Sequence, residues 1–366
     1  MRRYVVAMTV LLSFAVRSAW GVIQYTVTDL GSLSGYTSSR ATGINADGQV
    51  VGYSWSNLAG SRAFRYSSGS MQNLGTFGTT KSYATGINNS GQVVGYTWGP
   101  SHPYQAFLYS GNGPMQKLGT LGGLQSYATG INNDGQIVGW SSTSDSYHAF
   151  LCNGTGSLKD LGTLGGSGSV AYGINNSGQV VGEADTASAS YSTHAFLYSG
   201  SGLMQDLGTL GGAFSGATGI NDSGQVVGWS DTSSGDRQAF LYNGSGAMQS
   251  IGAFGGRSSW AAGINGSGQV VGWSAVGYDY YGDPINHAFI FCNGMMTDLN
   301  ALIPSGWTLY GANAINDSGQ IVGIGANSSG QHAVLLTPMP EPSTIVLVGI
   351  AAASLFAYAW RRRQVA

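Results

Sequence analysis

Residues 217–229 read ATGINDSGQVVGW and place two short strand candidates on either side of one turn. Ala217–Asn221 and Gln225–Trp229 each contain two β-branched residues, which favour strands. Between them, Asn221, Asp222 and Ser223 favour a type I turn. Gly224 suits the left-handed conformation that a short hairpin with a G1 bulge requires. This segment therefore predicts a β-hairpin, with no ligand needed to explain its asparagine and glycine.

The hairpin recurs seven times along the chain, and this repetition predicts the architecture. Successive copies start 43 to 51 residues apart, at Gly43, Gly86, Gly130, Gly173, Gly219, Gly263 and a degenerate Ala314. We number these copies repeats 1 to 7. Each hairpin is followed by a strand candidate resembling HAFLY and, except in repeat 7, by one resembling MQxLG. Each repeat thus predicts four short strands.

The third strand carries a recognisable signature, His-Ala-Phe, at His148, His194 and His287. On this signature, residues 24 to 337 resemble the HAF-repeat family of extracellular proteins. Other repeats depart from the pattern, with Arg62, Gln105 and Gln238 at the histidine position and Val334 at the phenylalanine position. The resemblance implies an extracellular repeat module and transfers no established chemistry.

The repeat length and the strand inventory together predict a closed ring. Units of four strands and 43 to 51 residues match the blades of β-propellers. Gln24–Leu30 resembles a fourth strand but precedes repeat 1, whereas repeat 7 ends near Leu336 without its own. We therefore expect an all-β, seven-bladed β-propeller over residues 22–337, closed by the N-terminal strand. An open β-solenoid is the alternative, but it gives no reason for this circular permutation.

The two ends read as export signals. Residues 1–21 combine two arginines, an apolar run and small residues before a cleavage site, which is typical of a signal peptide; an uncleaved anchor is the alternative. Residues 338–366 contain Pro340-Glu341-Pro342, an apolar segment from 345 to 360, and Arg361-Arg362-Arg363. Sixteen helical residues span about 24 Å, so we expect a short transmembrane helix. The three arginines would keep the C-terminus in the cytoplasm and the repeats outside.

The order of these tail elements resembles the PEP-CTERM sorting domain of Gram-negative bacteria. The resemblance implies an exosortase-type membrane protease as a partner, with cleavage and release to the cell envelope or extracellular matrix. Membrane contact through the C-terminal helix would then precede processing. A plain C-terminal anchor is the alternative interpretation.

Composition narrows the functional classes. Only 8% of the residues are charged, and six of the fourteen basic residues lie in the two terminal segments, so the repeats themselves are acidic and lack a basic stripe. Nucleic-acid binding is therefore disfavoured. Cys152 and Cys292 lie three repeats apart, too far for the geometry of a disulfide in a ring.

No known catalytic, cofactor or metal motif stands out, so we expect no catalytic residues, no cofactor and no metal. A calcium loop would need several acidic ligands in series, which the turns lack. Four of the five histidines, His148, His194, His287 and His332, share one repeat position and would be spread around the ring, and His102 stands alone. Packing or a local hydrogen bond therefore explains them better than catalysis. The residue after Val-Val-Gly is mostly aromatic and predicts packing between blades or a sugar-stacking platform; the series is Tyr53, Tyr96, Trp140, Glu183, Trp229, Trp273 and Ile324.

Residues that differ from the repeat consensus are the candidate ligand-binding or catalytic residues. Repeat 6 has the longest variable loop, whose aromatic and acidic residues are candidate ligand contacts: Tyr278, Asp279, Tyr280, Tyr281 and Asp283. Glu183 and Asp185 interrupt the aromatic series and could act as an acid–base pair on a polysaccharide. We predict an exported, non-enzymatic binding or structural module for exopolysaccharide or other surface proteins. The alternative is a polysaccharide-active hydrolase or lyase.

Overall fold

The computed structural model describes residues 23–78, 81–100, 102–187, 192–255 and 257–340. Within these ranges, every regular element is a β-strand except one short 3₁₀ turn, Leu299–Ala301. The predicted signal peptide, the predicted helix 345–360, and the sorting residues Glu341, Pro342 and Arg361 to Arg363 lie outside the described residues. In the part of the chain that the structure describes, no helix is both long and apolar enough to cross a membrane.

Contacts divide the chain into two units, Met1–Thr26 with Pro338–Ala366, and Val27–Thr337. In the first unit, the backbone N–H of Met339 donates a hydrogen bond to the carbonyl of Gln24 (2.8 Å). The second unit contains the seven repeats.

The strands follow the predicted inventory. A single strand, β1 (Tyr25–Asp29), precedes the repeats. Repeat 1 contains β2 (Ser38–Ile44), β3 (Val50–Ser56), β4 (Gly60–Ser67) and β5 (Ser70–Asn73), and repeat 2 contains β6 (Lys81–Ile87), β7 (Val93–Gly99), β8 (His102–Tyr109) and β9 (Gln116–Lys117). Repeat 3 contains β10 (Ser126–Ile131), β11 (Gln136–Ser142), β12 (Tyr147–Asn153) and β13 (Lys159–Asp160), and repeat 4 contains β14 (Gly165–Ile174), β15 (Val180–Thr186), β16 (Thr193–Tyr198) and β17 (Gln205–Asp206). Repeat 5 contains β18 (Gly211–Ile220), β19 (Val226–Thr232), β20 (Arg237–Tyr242) and β21 (Gln249–Gly252), and repeat 6 contains β22 (Ser259–Ile264), β23 (Val270–Tyr278), β24 (Pro284–Cys292) and β25 (Met295–Asp298). Repeat 7 contains only three strands, β26 (Thr308–Ile315), β27 (Ile321–Asn327) and β28 (Gly330–Pro338).

Strands within a repeat are antiparallel and pair in chain order, giving three four-stranded and two eight-stranded sheets. The larger sheets arise where a parallel bridge joins neighbouring repeats, at Ser61 with Lys81 and at Thr193 with Phe214. Among the described strands, no sheet closes on itself.

The orphan strand at the start of the chain pairs with the end of repeat 7. Strand β1 lies beside β28, so the sheet order is β1-β28-β27-β26. The backbone N–H of Leu30 donates to the carbonyl of Ala333 (3.0 Å), and Asp29 accepts from the His332 ring (3.0 Å). The predicted pairing of the first strand with the last repeat is confirmed.

The core is the same small set of positions in each repeat. In repeat 5, Val226, Val227, Ala239 and Phe240 are fully buried. Burying one such phenylalanine contributes about 2–3 kcal/mol relative to leaving it exposed. The residue after Val-Val must be glycine because the backbone of the preceding strand lies too close for a side chain. A Cβ at Gly228 would lie 2.0 Å from the Gly216 carbonyl oxygen.

The hairpin turns have the predicted geometry. In repeat 5, Asn221 N–H donates to the Gln225 carbonyl, Gly224 N–H donates to the Asn221 carbonyl (both 3.0 Å), and Gly224 has φ 78°. The Asn221 side chain also accepts from Gln225 N–H (2.9 Å) and donates to the Gln225 side chain (2.9 Å). The turn asparagine therefore fixes its own hairpin.

Each turn asparagine also binds the next repeat, which the sequence analysis did not anticipate. Its Nδ2 donates to the backbone carbonyl of the equivalent asparagine one repeat later, at 3.0 to 3.1 Å. The last of these bonds runs from Asn316 back to Asn45. We call this set the asparagine cycle; its members are Asn45, Asn88, Asn132, Asn175, Asn221, Asn265 and Asn316. Since all seven are buried, the cycle places seven satisfied polar side chains between the repeats.

Candidate functional site

The aromatic residues after Val-Val-Gly lie opposite a second set of ring-bearing positions on the first strand of each repeat. The antiparallel register pairs Tyr96 with Tyr83, Trp140 with Tyr127, and Trp273 with Trp260. Residues opposite each other point to the same side of a sheet. Both sets are mostly half-buried, so they line a surface next to the adjoining repeat.

In repeats 1 to 3 these rings form a continuous row. Ring centroids are 4.9 Å apart between Tyr53 and Tyr83, 4.7 Å between Tyr83 and Tyr96, and 3.8 Å between Tyr96 and Tyr127. We call Tyr53, Tyr83, Tyr96, Tyr127 and Trp140 the tyrosine row. Burial raises the pKa of Tyr127 to about 12 and that of Tyr96 further still, so both phenols are neutral at physiological pH. The row packs between repeats, as predicted for this series.

In repeats 5 and 6 the corresponding positions hold tryptophans. The ring centroids of Trp229 and Trp260 are 5.0 Å apart, and those of Trp260 and Trp273 are 6.2 Å apart, with near-parallel planes. The guanidinium of Arg237 lies 3.9 Å from the Trp229 ring centroid, and Asp231 accepts two hydrogen bonds from it (2.8 and 3.3 Å). The stack is thus held by a cation–π contact at one end and by an ion pair that orients the cation.

A cleft of about 540 Å³ opens beside this stack. Its wall combines tryptophan and tyrosine rings with two arginines, two aspartates and small polar residues: Asp231, Ser234, Gly235, Asp236, Arg237, Arg257, Ser258, Trp260, Trp273 and Tyr278. We call it the tryptophan cleft. Its volume lies within the range of small-molecule sites, about 300–1,000 Å³.

Local structure explains why these residues converge. Asp231 lies two residues after Trp229 on β19 and therefore points to the same side of the sheet. The turn after β19 carries Asp236, and the segment before β22 carries Arg257. Arg257 is 83% exposed and lies 3.9 Å from Asp236, so it forms a solvated rim contact rather than a rigid one. The lining of the cleft therefore combines aromatic rings with side chains of both charges.

Among the five loop residues predicted as ligand contacts, only Tyr278 lines the tryptophan cleft. Tyr280 and Tyr281 are 95% and 85% exposed at the tip of the β23–β24 hairpin, with ring centroids 5.4 Å apart. The Asp279 carboxylate accepts hydrogen bonds from the backbone N–H groups of Tyr281 and Asp283 (both 2.9 Å). Asp279 thus shapes the turn that presents the tyrosines.

Glu183 and Asp185 have different hydrogen-bond partners. Glu183 accepts a hydrogen bond from the Tyr172 hydroxyl (2.9 Å), and burial raises the pKa of its carboxyl group despite that bond. Asp185 accepts from the Ser167 and Thr193 hydroxyls and from Gly168 N–H, each at 3.0 Å. Because its oxygens are engaged in bracing the loop, Asp185 has the contacts of a structural residue.

The histidines at the signature position each bind an aspartate on the neighbouring strand of the same sheet, so the predicted local hydrogen bond is confirmed. The Nδ1–carboxylate distances are 2.8 Å for His148–Asp160, 2.9 Å for His194–Asp206, 2.6 Å for His287–Asp298 and 3.0 Å for His332–Asp29. The sequence analysis missed these aspartates. Comparing the repeats could have found them, because the two positions change together. Repeat 5 has Gln238 instead of histidine and Ser250 instead of aspartate, and these two side chains are hydrogen-bonded (2.6 Å).

Neither cysteine forms a disulfide in the structure. Cys152 is buried, and burial raises the pKa of its thiol to about 12, which makes it a poor nucleophile. Within the described ranges, no group of three histidine, cysteine, aspartate or glutamate side chains could hold a metal ion.

Sequence reasoning also missed most of the cleft. Trp260 occupies the position of Tyr83 and Tyr127, one residue before the buried alanine of the first strand, and comparing the repeats at that position would have found it. Arg237, Arg257, Asp231 and Asp236 lie in segments that vary between repeats, where the sequence carries no such signal.

Comparisons with known proteins address the tail and the fold. Residues 340–363 match the family described as the PEP-CTERM protein-sorting motif, which implies an exported protein processed by an exosortase. No curated protein matches the sequence. The BP39L lectin from Burkholderia pseudomallei is similar in structure, with TM-score 0.50 and 10% identity over 86% of this chain and 96% of the lectin.

Two further solved structures are similar over different extents. A puromycin hydrolase mutant (S511A), complexed with PGG, has TM-score 0.53 and 14% identity over 85% of this chain and 55% of the hydrolase. A putative TolB from Agrobacterium tumefaciens has TM-score 0.47 and 14% identity over 74% of this chain and 94% of TolB. The lectin is a β-propeller protein, so its likeness agrees with the sheet topology in giving this chain a β-propeller-like, all-β fold.

Proposed function

We propose that the repeats form a seven-bladed β-propeller closed by strand β1, and that the chain belongs among HAF-repeat extracellular proteins. The asparagine cycle supports closure, because its last hydrogen bond joins repeat 7 to repeat 1. Two further contacts bridge the same repeats: Arg40 donates to the Asn313 side chain (2.9 Å), and Asn313 donates to the Ala41 carbonyl (2.6 Å). An open β-solenoid would leave its first and last repeats apart.

We further propose that the exported protein is a non-enzymatic module that binds neutral glycans in the tryptophan cleft. The observation that carries this proposal is that Trp260, Trp273 and Tyr278 line a cleft of about 540 Å³ together with charged and small polar side chains. The C–H groups of a sugar ring carry a partial positive charge and stack favourably on the negative face of an aromatic ring.

The charges of the cleft favour a neutral ligand. Two arginines and two aspartates balance each other, and Arg237 is already paired with Asp231. Sugar hydroxyl groups both donate and accept hydrogen bonds, so they can satisfy Asp236 and Arg257 together. A nucleic acid or a strongly acidic chain would meet two carboxylates in the same cleft.

The tail supports a location at the cell surface. The PEP-CTERM match supports processing of the tail by an exosortase. Such processing would release the repeats to the cell envelope or extracellular matrix, where a glycan-binding module would meet its ligands. At that location exopolysaccharide is the first candidate ligand, and other surface proteins are the second candidate partners.

Catalysis on a polysaccharide is the competing function; burial raises the pKa of the Glu183 carboxyl, which is the direction that a general acid requires. A Glu183→Gln variant that abolished turnover of a matrix sugar would establish the enzyme. Measuring turnover of the same matrix sugar by an Asp279→Asn variant tests whether the carboxylate of the repeat 6 loop takes part in catalysis.

A glycan array probed with the purified chain tests the binding function. We expect neutral glycans to be retained by the wild type and lost in Trp260→Ala. Tyr310→Ala is the matched control, because Tyr310 is 39% exposed on repeat 7 and does not line the cleft. Equal retention by wild type and Trp260→Ala, or retention of no glycan by the wild type, would contradict the proposal.

A further inference from the structure

The hairpin of repeat 6 reaches further than its counterpart in repeat 5. Strands β23 and β24 each contain nine residues, whereas β19 has seven and β20 has six. The extra length lies at the turn end, where Tyr278 pairs with Pro284. This end of the hairpin forms part of the tryptophan cleft.

A β-bulge in β23 aims Tyr278 into the cleft. The register pairs Ala275 with Asn286 and Gly277 with Ile285, so Val276 is the extra residue. Side chains alternate between the two faces of a strand, and without a bulge Tyr278 would point away from the side of Trp273. One inserted residue reverses the alternation beyond it, so Trp273 and Tyr278 share a face.

The backbone positions of Trp273 and Tyr278 are further apart along the strand than the width of one sugar ring. Four paired steps lie between Trp273 and Tyr278 on the partner strand, from Ala288 to Pro284. At about 3.3 Å per step these span about 13 Å. A sugar ring is about as wide as one six-membered aromatic ring, which is less than half of this backbone separation.

We infer that the tryptophan cleft binds a chain of at least two linked neutral sugar units, and that Tyr278 is the residue that selects for chain length. This inference rests on the proposed function and names the ligand class of the same site. Trp260 and Trp273 hold one unit, and Tyr278 stacks on the next unit along the chain. The bulge at Val276 is the feature that converts a single-sugar site into an extended one.

The test measures affinity as a function of ligand length by calorimetric titration of the full-length chain. The probes are mono- to hexasaccharides of β-1,4-linked glucose and of β-1,4-linked N-acetylglucosamine, with the α-1,4-galacturonate series as an acidic comparison. In the wild type, a tetrasaccharide of a neutral series should bind about threefold to tenfold more tightly than its monosaccharide, the gain expected of one aromatic contact.

Tyr278→Ala should remove this length-dependent gain, so that its tetrasaccharide and monosaccharide affinities differ by less than about twofold. Tyr278→Trp should keep the gain, and Tyr281→Ala is the control, because Tyr281 is exposed at the tip and does not line the cleft. Deleting Val276 should reproduce Tyr278→Ala, since it turns the ring to the opposite face; if that variant fails to fold, the Tyr278 substitutions decide.

The outcomes separate this inference from the proposed function. Affinity that does not change with length, or a gain that survives in Tyr278→Ala, overturns the inference and leaves single-sugar binding in place. No binding of any neutral series overturns both. Preference for the galacturonate series overturns the assignment to a neutral chain.

Discussion

Replacing Asn316 with alanine tests whether the asparagine cycle is closed. The Asn316 side chain donates to the Asn45 carbonyl (3.1 Å) and to the Gln320 side chain (2.9 Å), and accepts from Gln320 N–H (3.0 Å). Asn316→Ala leaves the Gln320 N–H without this partner, whereas the Asn45 carbonyl keeps its hydrogen bond from Gly48 N–H (3.1 Å). At about 1–3 kcal/mol for the unsatisfied N–H and about 1 kcal/mol for the lost bond to the carbonyl, the expected loss is about 2–4 kcal/mol.

The matched control is Asn132→Ala, because Asn132 makes the same three bonds in the middle of the chain, to Asn175 and Gln136. In a closed ring the two variants should lose equal stability, within about 0.5 kcal/mol. Urea unfolding followed by tryptophan fluorescence measures both losses, and thermal unfolding should shift by roughly 4–8 °C in each. A loss for Asn316→Ala far below that for Asn132→Ala would refute closure, because an open array would leave Asn316 without Asn45.

Three further changes test the packing of the repeats and the setting of one acid. Gly228→Ala should prevent folding or lower the free energy of unfolding by several kcal/mol, because the new Cβ would lie 2.0 Å from a carbonyl oxygen. Gly277→Ala is the control: no atom lies within 4 Å of its new Cβ, so thermal unfolding should be nearly unchanged. Exchanging His194 and Asp206 for the glutamine–serine pair of repeat 5 should change stability by less than about 1 kcal/mol, because the histidine–aspartate hydrogen bond is part-exposed. A loss well above that value in urea unfolding would give the pair a larger role. Burial raises the pKa of Glu183 in the folded state, so the native protein keeps a proton on this carboxyl at pH values where the unfolded chain has lost it. Wild-type stability should therefore fall as the pH rises above about 4.5, whereas Glu183→Gln should lack this decline. Stability profiles of wild type and variant that run parallel between about pH 4 and 8 would contradict this expectation.

The fold was largely predictable because the repeat presents the same local information seven times. The turn chemistry around Asn221 and Gly224, the strand lengths and the displaced first strand each follow from short-range rules. The asparagine cycle was not predictable in the same way. It depends on the distance between equivalent turns in neighbouring repeats, which only the assembled structure supplies.

The site was less predictable for a related reason. Tyr278 was identified because its loop is long and aromatic, but the same reasoning selected Asp279, whose carboxylate holds the turn. The cleft depends on residues from two repeats, with Arg237 placed by β20 and Trp260 by β22. Their convergence is a tertiary property, and the bulge at Val276 that redirects Tyr278 leaves no mark in the sequence that we recognised.

The central claim is that the tryptophan cleft is the glycan-binding surface, and a crystal structure with a neutral oligosaccharide tests it most directly. We expect one sugar ring against Trp260 and Trp273, with hydroxyl groups hydrogen-bonded to Asp236 and Arg257 and a second ring on Tyr278. An oligosaccharide bound instead on the tyrosine row, with the cleft open to solvent, would contradict the claim.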